Sequence, residues 1–292
     1  MSDANLQHGR VTFLDGRGDL SALEITTPWS RAEIFPHGAT VTQFQKTGEP
    51  PVLFLSQCSR YTNDAPIRGG IPIAFPWFGK PEGKTMQHGF ARVKDWELKE
   101  VASPPDGSVT VRMRLPNYAD ATAWPGCNVE YVVTVGEALG VELIVTNKSA
   151  SEAAYEDCLH TYFTVGDISQ VAVIGLKGVE YLDALDGRKR KTETAESIRF
   201  TAELDRVYLN TAHVVEIHDA ALRRVIRVAK EGSRSTVVWN PWIAKAKAMA
   251  DYGDEEYKQM VCVESGNVAE NQVKLRAGES HRTVVRISTT KI

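Results

Sequence analysis

Short segments in which apolar and polar residues alternate recur along most of the chain. The segment V-T-V-R-M-R-L, Val109–Leu115, places every second side chain on one face, which is the pattern of a half-buried β-strand. Two β-rich runs, residues 129–135 and 141–147, are joined by a glycine-containing turn and predict a hairpin. A similar pair occupies residues 214–217 and 222–228. The pattern therefore predicts a protein built mainly from antiparallel strands.

Helical patterns are rare in this chain, and one long stretch has no regular pattern. A helix longer than two turns is predicted only within residues 243–260, where Gly253 is expected to interrupt it. Residues 56–90 are rich in proline and glycine, which is typical of a functional loop on a rigid scaffold. No linker or fixed-period repeat divides the sequence, so we predict one domain over residues 1–292. The predicted class is all-β, an antiparallel sandwich or barrel with few short helices.

Charge and cysteine content narrow the possible partners and the cellular setting. The 34 basic and 37 acidic residues give a net charge of −3, so neither nucleic acid nor an anionic membrane is an expected partner. No apolar run reaches the ~18 residues that a membrane span requires, and residues 1–10 lack the apolar core of a secretory signal. The four cysteines show no C-x-x-C spacing. We expect a reduced, cytoplasmic protein in which Cys158 and Cys262 act as small buried hydrophobes.

Two segments imitate binding motifs. Residues 79–85, G-K-P-E-G-K-T, resemble a phosphate loop but have three residues between the glycines where four are needed. The basic run R-K-R-K at residues 188–191 follows Asp186-Gly187, which marks a turn. We interpret this run as the solvent-exposed tip of a hairpin.

Four residues have sequence surroundings that could support chemistry. His160 lies in the apolar aromatic segment L-H-T-Y-F, which suggests a strand, and Glu264 ends the run M-V-C-V-E. Partial burial of such a carboxylate would raise its pKa towards the range of a general base. Arg68 and Arg92 adjoin glycine-containing loops and could reach an anion that also approaches backbone N–H groups. Taken singly, each residue could equally be structural: a core histidine, a strand-end carboxylate paired with an arginine, or a surface arginine in a turn.

Six ordered motifs together resemble a known family. They are R-G-G-I-P-I-A-F-P-W-F-G at residues 68–79, Q-H-G-F-A-R at 87–92, L-H-T-Y-F at 159–163, L-D-R-V-Y at 204–208, V-W-N-P-W at 238–242 and Y-K-Q-M-V-C-V-E-S-G-N at 257–267. This series resembles the hexose-6-phosphate mutarotases, or glucose-6-phosphate 1-epimerases, within the aldose 1-epimerase group. The resemblance runs from about Trp29 to His281. Ser265 stands where alanine is more usual, beside the expected Glu and Asn.

The resemblance implies a fold, a reaction and a set of site residues. The fold would be the large antiparallel β-sandwich of the galactose-mutarotase type. His160 would be the general acid and Glu264 the general base. The substrate-binding residues would be Arg68, Gln87, Arg92 and Asp205, with His88 as a further contact to the sugar. Anomer interconversion needs only two proton transfers, so we expect no cofactor and no metal. The expected partner is a small-molecule sugar phosphate, and we expect a monomer.

Three other functions remain open from the sequence. The first is a mutarotase of unphosphorylated aldoses, against which the arginine-containing loops argue. The second is a non-catalytic sugar-phosphate-binding protein, against which the presence of both His160 and Glu264 argues. The third is a glycoside hydrolase that uses Asp205 and Glu264 as its carboxylate pair, which incubation with a glycoside would test.

Overall fold

A computed structural model describes residues 9–117 and 126–292 of the chain, so most of the segment inspected for a secretory signal lies outside the described residues. The described residues form 23 β-strands and one α-helix, α1 (Trp242–Ala248). The first twelve strands are β1 (Arg10–Arg17), β2 (Leu20–Thr26), β3 (Ser30–Phe35), β4 (Thr40–Lys46), β5 (Ile73–Ala74), β6 (Glu97–Ala102), β7 (Val109–Leu115), β8 (Cys127–Val135), β9 (Leu139–Asn147), β10 (Ala153–Tyr155), β11 (Asp157–Leu159) and β12 (Tyr162–Thr164). The others are β13 (Val171–Ile174), β14 (Glu180–Asp183), β15 (Lys189–Thr192), β16 (Ser197–Ile198), β17 (Leu204–Leu209), β18 (Val215–Asp219), β19 (Arg224–Glu231), β20 (Ser235–Asn240), β21 (Met260–Asn267), β22 (Val273–Leu275) and β23 (Ser280–Lys291). Short 3₁₀ turns occupy Ala91–Val93, Ile168–Gln170, Ala184–Asp186, Glu256–Gln259 and Ala269–Asn271.

Two large sheets dominate the architecture. The nine-stranded sheet has the order β16-β13-β18-β19-β23-β9-β8-β7-β6. The eight-stranded sheet has the order β15-β14-β17-β20-β21-β11-β5, and β12 also pairs with β21. A four-stranded sheet β1-β2-β3-β4 and the pair β10-β22 complete the set. The predicted hairpins are confirmed as the antiparallel pairs β8–β9 and β18–β19.

The two large sheets share one hydrophobic core, which confirms the prediction of a β-sandwich. Leu143, Ile226 and Val285 from the nine-stranded sheet, and Tyr208, Val238 and Val263 from the eight-stranded sheet, belong to the same buried cluster. Because side chains alternate between the two faces of a strand, the eight-stranded sheet contributes one face to this core and leaves its other face free. That other face carries the candidate active site.

The irregular elements agree with the sequence in position and differ in extent. The predicted helix is α1, which ends at Ala248, and a separate 3₁₀ turn follows at Glu256–Gln259. The break therefore starts before Gly253. Residues 56–90 contain only the two-residue strand β5, as the composition predicted. Cys158 and Cys262 are buried free thiols, as predicted. Within the described ranges, no helix is long and apolar enough to cross a membrane.

Candidate active site

The floor of the site is one face of the eight-stranded sheet. Strand register places Asp205, Trp239, Cys262 and Tyr162 in one row across β17, β20, β21 and β12. Two residues away on three of these strands, the next row contains Val207, Val237 and Glu264. Because side chains on a strand alternate with a period of two, both rows face the same side of the sheet. Asp205 and Glu264, about 60 residues apart in the chain, are brought together by this register.

His160 lies between two strands, which corrects the prediction that it is part of one. β11 pairs Leu159 with Ser265, and β12 pairs Tyr162 with Cys262, so the register is unchanged across the break and sets His160 opposite Glu264. The Thr161 backbone N–H donates within the segment to the carbonyl of Leu159 at 2.8 Å, which explains the break in pairing with β21. The His160 N–H donates to the carbonyl of Pro72 at 2.9 Å and so continues the β11–β5 register. The imidazole Nε2 lies 3.4 Å from Oε1 of Glu264.

Glu264 is an acceptor that the protein leaves unsatisfied. Its side chain is 1 % exposed, and its Oε2 accepts a hydrogen bond from the Cys158 thiol at 3.3 Å. Its Oε1 is buried and has no hydrogen-bond partner among the described residues. A buried polar atom without a partner is costly, so it marks a place where a ligand can bind.

Burial opposes charge on both members of this pair. Desolvation raises the pKa of Glu264 well above its ordinary value. Desolvation, reinforced by Arg92 and Arg68, lowers the pKa of His160 to about 3. The surrounding protein therefore favours a neutral histidine beside a protonated glutamic acid. This arrangement holds the same single proton as an imidazolium–carboxylate pair.

Two glycine positions explain how the loops approach the floor. Gly70, two residues after Arg68, has φ +66°, and a Cβ atom there would lie 2.2 Å from the carbonyl oxygen of Val41. Gly89, directly after His88, has φ +70°, and its Cβ would lie 1.9 Å from the carbonyl oxygen of Phe75. Only glycine allows such backbone contact in a left-handed conformation. The R-G-G and Q-H-G segments are thereby held over the sheet.

The two arginines of these loops have different partners. Arg68 pairs with Asp251 at 3.0 Å and donates from Nη1 to the Tyr162 hydroxyl at 3.0 Å. Tyr162 and Asp251 raise the pKa of Arg68. Arg92 donates from Nη2 to the carbonyl of Gln87 at 2.7 Å, and its buried Nε has no partner among the described residues. Burial lowers the pKa of Arg92 to about 10, so it remains cationic at neutral pH.

His88 forms part of the wall beside His160. Its Nδ1 accepts a hydrogen bond from the N–H of Gly79 at 3.2 Å, and its Nε2 lies 3.0 Å from the Gln87 amide. Its ring stands edge-on to that of His160, with 5.4 Å between the centroids. Burial lowers the pKa of His88 well below its ordinary value, which indicates a neutral ring that binds through hydrogen bonds.

All seven site residues proposed from the resemblance line a single cavity of about 440 Å³. They are Arg68, Gln87, His88, Arg92, His160, Asp205 and Glu264. Such a volume suits a small-molecule ligand. The side chain of Asp205 has no hydrogen-bond partner among the described residues, and burial raises its pKa to about 6 even though Lys245 and Arg188 oppose the shift.

The lining also includes Tyr162, Arg188, Trp239 and Lys245, which were not among the seven predicted site residues. The run at residues 188–191 is indeed at an exposed hairpin, β14–β15, but Arg188 lines the cavity, which corrects its interpretation as a purely solvated tip. Its position follows from the 3₁₀ turn and the positive φ of +59° at Arg188. Lys245 comes from α1, and only the tertiary fold brings that helix beside Asp205.

One group in the described residues has the composition of a metal site. His160, Cys262 and Glu264 bring one ligand atom each within 4.8 Å of one another. Burial raises the pKa of the Cys262 thiol well above its ordinary value, which favours the neutral thiol.

Comparisons with known proteins agree with this geometry. The Aldose 1-epimerase family model matches residues 21–288. A protein of Cenchrus ciliaris, provisionally named as a glucose-6-phosphate 1-epimerase, is 37% identical over 268 residues, covering 88% of this chain and 80% of that protein. The crystal structure of a Salmonella typhimurium protein, provisionally described as a mutarotase, has a TM-score of 0.89 at 31% identity and covers 97% of this chain and 94% of that one. A galactose mutarotase-like protein from Clostridium acetobutylicum has a TM-score of 0.70 at 15% identity, covering 98% of this chain and 100% of that one, and shares the fold.

Proposed function

Because the chain belongs to the aldose 1-epimerase family, we propose that it interconverts the α and β anomers of hexose 6-phosphates, chiefly glucose 6-phosphate. The observation that carries this proposal is the pair His160 and Glu264, 3.4 Å apart, in one cavity with Arg68 and Arg92. The pair supplies an acid and a base, and the arginines supply charge for an anionic substrate. The provisional name of the Cenchrus ciliaris relative agrees with this substrate.

The reaction uses two coupled proton transfers. Glu264 takes the proton of the C1 hydroxyl while His160, as the imidazolium, gives a proton to the ring oxygen O5. The C1–O5 bond breaks and C1 becomes an aldehyde. Rotation about C1–C2 presents the other face of the aldehyde, and the reverse transfers close the ring as the other anomer. Positioned acid and base groups each contribute roughly 10²–10⁴-fold to such reactions.

The position of each charge suits a 6-phosphate. C6 is bonded to C5, which also carries O5, so the phosphate lies on the side of the ring that His160 must reach. Arg92 and Arg68 are the charges that lower the pKa of His160, whereas at Glu264 the raising effect of Asp205 exceeds the lowering effect of Arg92. We therefore assign the phosphate to the arginine side, where charge-assisted hydrogen bonds to guanidinium groups are strong.

The remaining residues bind the sugar hydroxyls. The Asp205 carboxylate has free acceptor capacity on the Glu264 side, and Gln87 and His88 contribute hydrogen-bonding groups to the wall. Trp239 and Tyr162 supply aromatic surface on the floor, which suits the apolar C–H faces of a sugar.

Exchange between anomers, measured by NMR on glucose 6-phosphate and on glucose under identical conditions, tests the proposal. We expect catalysed exchange of both sugars, with kcat/KM at least ~10-fold higher for the phosphorylated one, because a charge-assisted contact contributes about 1.5–3 kcal/mol. Equal values would identify a mutarotase of unphosphorylated aldoses. Binding without exchange would identify a sugar-phosphate-binding protein, and cleavage of a glycoside would identify a hydrolase.

A further inference from the structure

The protein surroundings of His160, the general acid of the proposed reaction, disfavour the protonated imidazolium that it needs. The titratable and charged groups that face it are Glu264 and Cys262 on β21, Tyr162 on β12, His88 and Arg68 on the loop of residues 56–90, and Arg92 on the 3₁₀ turn Ala91–Val93. Glu264 is the one carboxylate in direct contact with the imidazole among these groups. Two guanidinium groups oppose a positive charge on it.

Arg68 and Arg92 differ in how strongly they oppose a positive charge on His160. The charge of Arg68 is offset by Asp251, 3.0 Å away. Arg92 has no carboxylate within ion-pair distance among the described residues, and its Nε is buried without a partner. Arg92 is accordingly the charge that affects His160 most. Arg92 also lowers the pKa of Glu264, but there it ranks behind Asp205, whereas on His160 it is the largest charge effect. An anion bound to Arg92 would therefore relieve the opposition mainly at His160.

The proton of the His160–Glu264 pair can occupy either partner. In one arrangement Oε1 of Glu264 carries it and both groups are neutral. In the other, Nε2 of His160 carries it, and the groups form an imidazolium–carboxylate pair. Burial favours the neutral arrangement, because separating charge in a dry site is costly. Ring opening requires the charged arrangement, whereas the surrounding protein alone favours the proton on Glu264.

We propose that the phosphate of the bound sugar moves this proton to His160 by neutralising Arg92, so that the substrate activates its own general acid. The O–H bond of Glu264 breaks and the N–H bond of His160 forms, across the 3.4 Å that separates Oε1 from Nε2. The charges balance within the pair, and no further reactant is needed. This inference rests on the proposed function and extends it from substrate binding to substrate activation.

The proposal makes the phosphate a contributor to turnover as well as to affinity. A phosphate that only anchored the sugar would bind the ground state and the transition state equally and would appear in KM. Glucose without phosphate meets the same pair but leaves Arg92 unneutralised. A separate dianion, bound beside glucose, should replace the missing group.

The test is glucose anomer exchange in the presence of sodium phosphite. We expect phosphite to raise kcat/KM for glucose saturably, by roughly tenfold or more. Sodium chloride at equal ionic strength is the control and should have no such effect. Inhibition by phosphite, or no change across its whole concentration range, would overturn the proposal.

The variant Arg92→Gln gives opposite effects on the two sugars if the proposal is correct. Loss of a phosphate contact lowers kcat/KM for glucose 6-phosphate, whereas loss of the opposing charge raises kcat for glucose and removes the activation by phosphite. A purely binding arginine would give the first effect without the other two. The matched control is Arg190→Gln, because Arg190 is exposed, pairs with Glu270 and does not line the cavity.

Nitrogen-15 NMR of the protein shows directly whether His160 is neutral or protonated. The His160 signal, identified by its absence in His160→Asn, should change from the neutral to the protonated form when phosphite is added. A neutral signal together with normal turnover of glucose 6-phosphate would refute the inference and leave the proposed function intact. Absence of turnover with glucose 6-phosphate would refute the proposed function itself.

Discussion

The floor and the wall of the cavity are built by different physical means. The floor carries Glu264 on β21, a strand that pairs with β20 on one side and with β11 and β12 on the other. The wall is the loop of residues 56–90, which contains one two-residue strand. Backbone contact at its glycines and side-chain ties such as Glu256, which accepts bonds from Ser56 and Gln57, hold it in place.

This difference divides the chemistry between the two regions. Proton transfer needs donor and acceptor placed to within a fraction of an ångström, and strand register supplies that precision across chain positions far apart. Choice of substrate needs charges that can differ from one protein to another, and a loop can vary without disturbing the sheet. Changes in the floor should therefore alter turnover on every sugar, and changes in the wall should alter the preference between sugars.

Removal of the acid or the base should have the largest effect. Glu264→Gln keeps the shape and removes the basicity, and His160→Asn keeps a hydrogen-bonding group and removes the imidazolium. Each should lower kcat by roughly 10²-fold or more on both sugars. Steady-state anomer exchange measures this, and near-normal rates in either variant would contradict the assignment.

Thermal unfolding shows whether the variants remain folded. It also tests the pH dependence of the stability that Glu264 contributes. The folded-state pKa of Glu264 lies above its ordinary value of 4.5, so the folded state binds more protons between these two values. Stability contributed by this group is present below about pH 4.5 and is lost as the pH rises towards the folded-state value. Glu264→Gln should therefore have a Tm equal to or above that of the parent protein near neutral pH, and the difference should shrink in acid.

Replacement of Arg68 should change the preference between sugars. Loss of a charge-assisted contact to phosphate costs about 1.5–3 kcal/mol, which corresponds to roughly 10–150-fold. For Arg68→Ala we expect this loss mainly in KM for glucose 6-phosphate, so the ratio of kcat/KM between the two sugars falls. Arg68→Lys should restore only part of this ratio, because an ammonium group cannot reproduce the contacts of a guanidinium group that also binds Asp251 and Tyr162. Equal losses on both sugars would show that Arg68 supports the scaffold.

The same division explains what could be predicted from the sequence. Alternation predicted strands such as Val109–Leu115 and the sandwich class, because that pattern is local. The motifs pointed to His160 and Glu264, but their facing position depends on register between β21 and two separate strands, which no local pattern contains.

Residues that reach the cavity from elsewhere were not predictable in this way. Lys245 is one of two lysines in the short helix α1, and Arg188 lies in a charged turn. Both residue types are mostly solvent-exposed. Asp251, which accepts a hydrogen bond from Arg68, lies 183 positions further along the chain. Each of these depends on tertiary packing, so the sequence pattern carried no signal for them.

Asp205 should determine an acidic limb in the pH dependence. Burial raises its pKa to about 6, and its carboxyl group accepts hydrogen bonds from sugar hydroxyls more strongly when it is ionised. We expect kcat/KM to fall as the pH drops below about 6, and Asp205→Asn to remove that limb while lowering kcat/KM by roughly tenfold at higher pH. Lys245→Met is the matched variant. Because Lys245 lowers the pKa of Asp205, its removal should move the limb to higher pH, and an unmoved limb would assign it to another group.

The smallest expected effect tests whether the wall can be loosened without disturbing the floor. The Glu256 carboxylate accepts hydrogen bonds from Ser56 Oγ at 2.6 Å, from the Gln57 N–H at 2.7 Å and from the Gly253 N–H at 2.8 Å. Glu256→Gln weakens these bonds and should lower the free energy of unfolding by about 1–2 kcal/mol, measured by urea denaturation. Because the tie holds the loop that carries Arg68, the preference for glucose 6-phosphate should fall while kcat on glucose is retained.

A glutamate that is tied elsewhere separates this effect from general destabilisation. Glu49 accepts a hydrogen bond from Thr289 Oγ1 at 2.6 Å and does not line the cavity. Glu49→Gln should lower stability by a similar amount, since it also replaces a charge-assisted bond by a neutral one, and should leave the sugar preference unchanged. If Glu256→Gln instead lowered kcat equally on both sugars, the loop would have to position the His160–Glu264 pair as well. The loop would then act on the pair through the hydrogen bond that the His160 N–H donates to the carbonyl of Pro72.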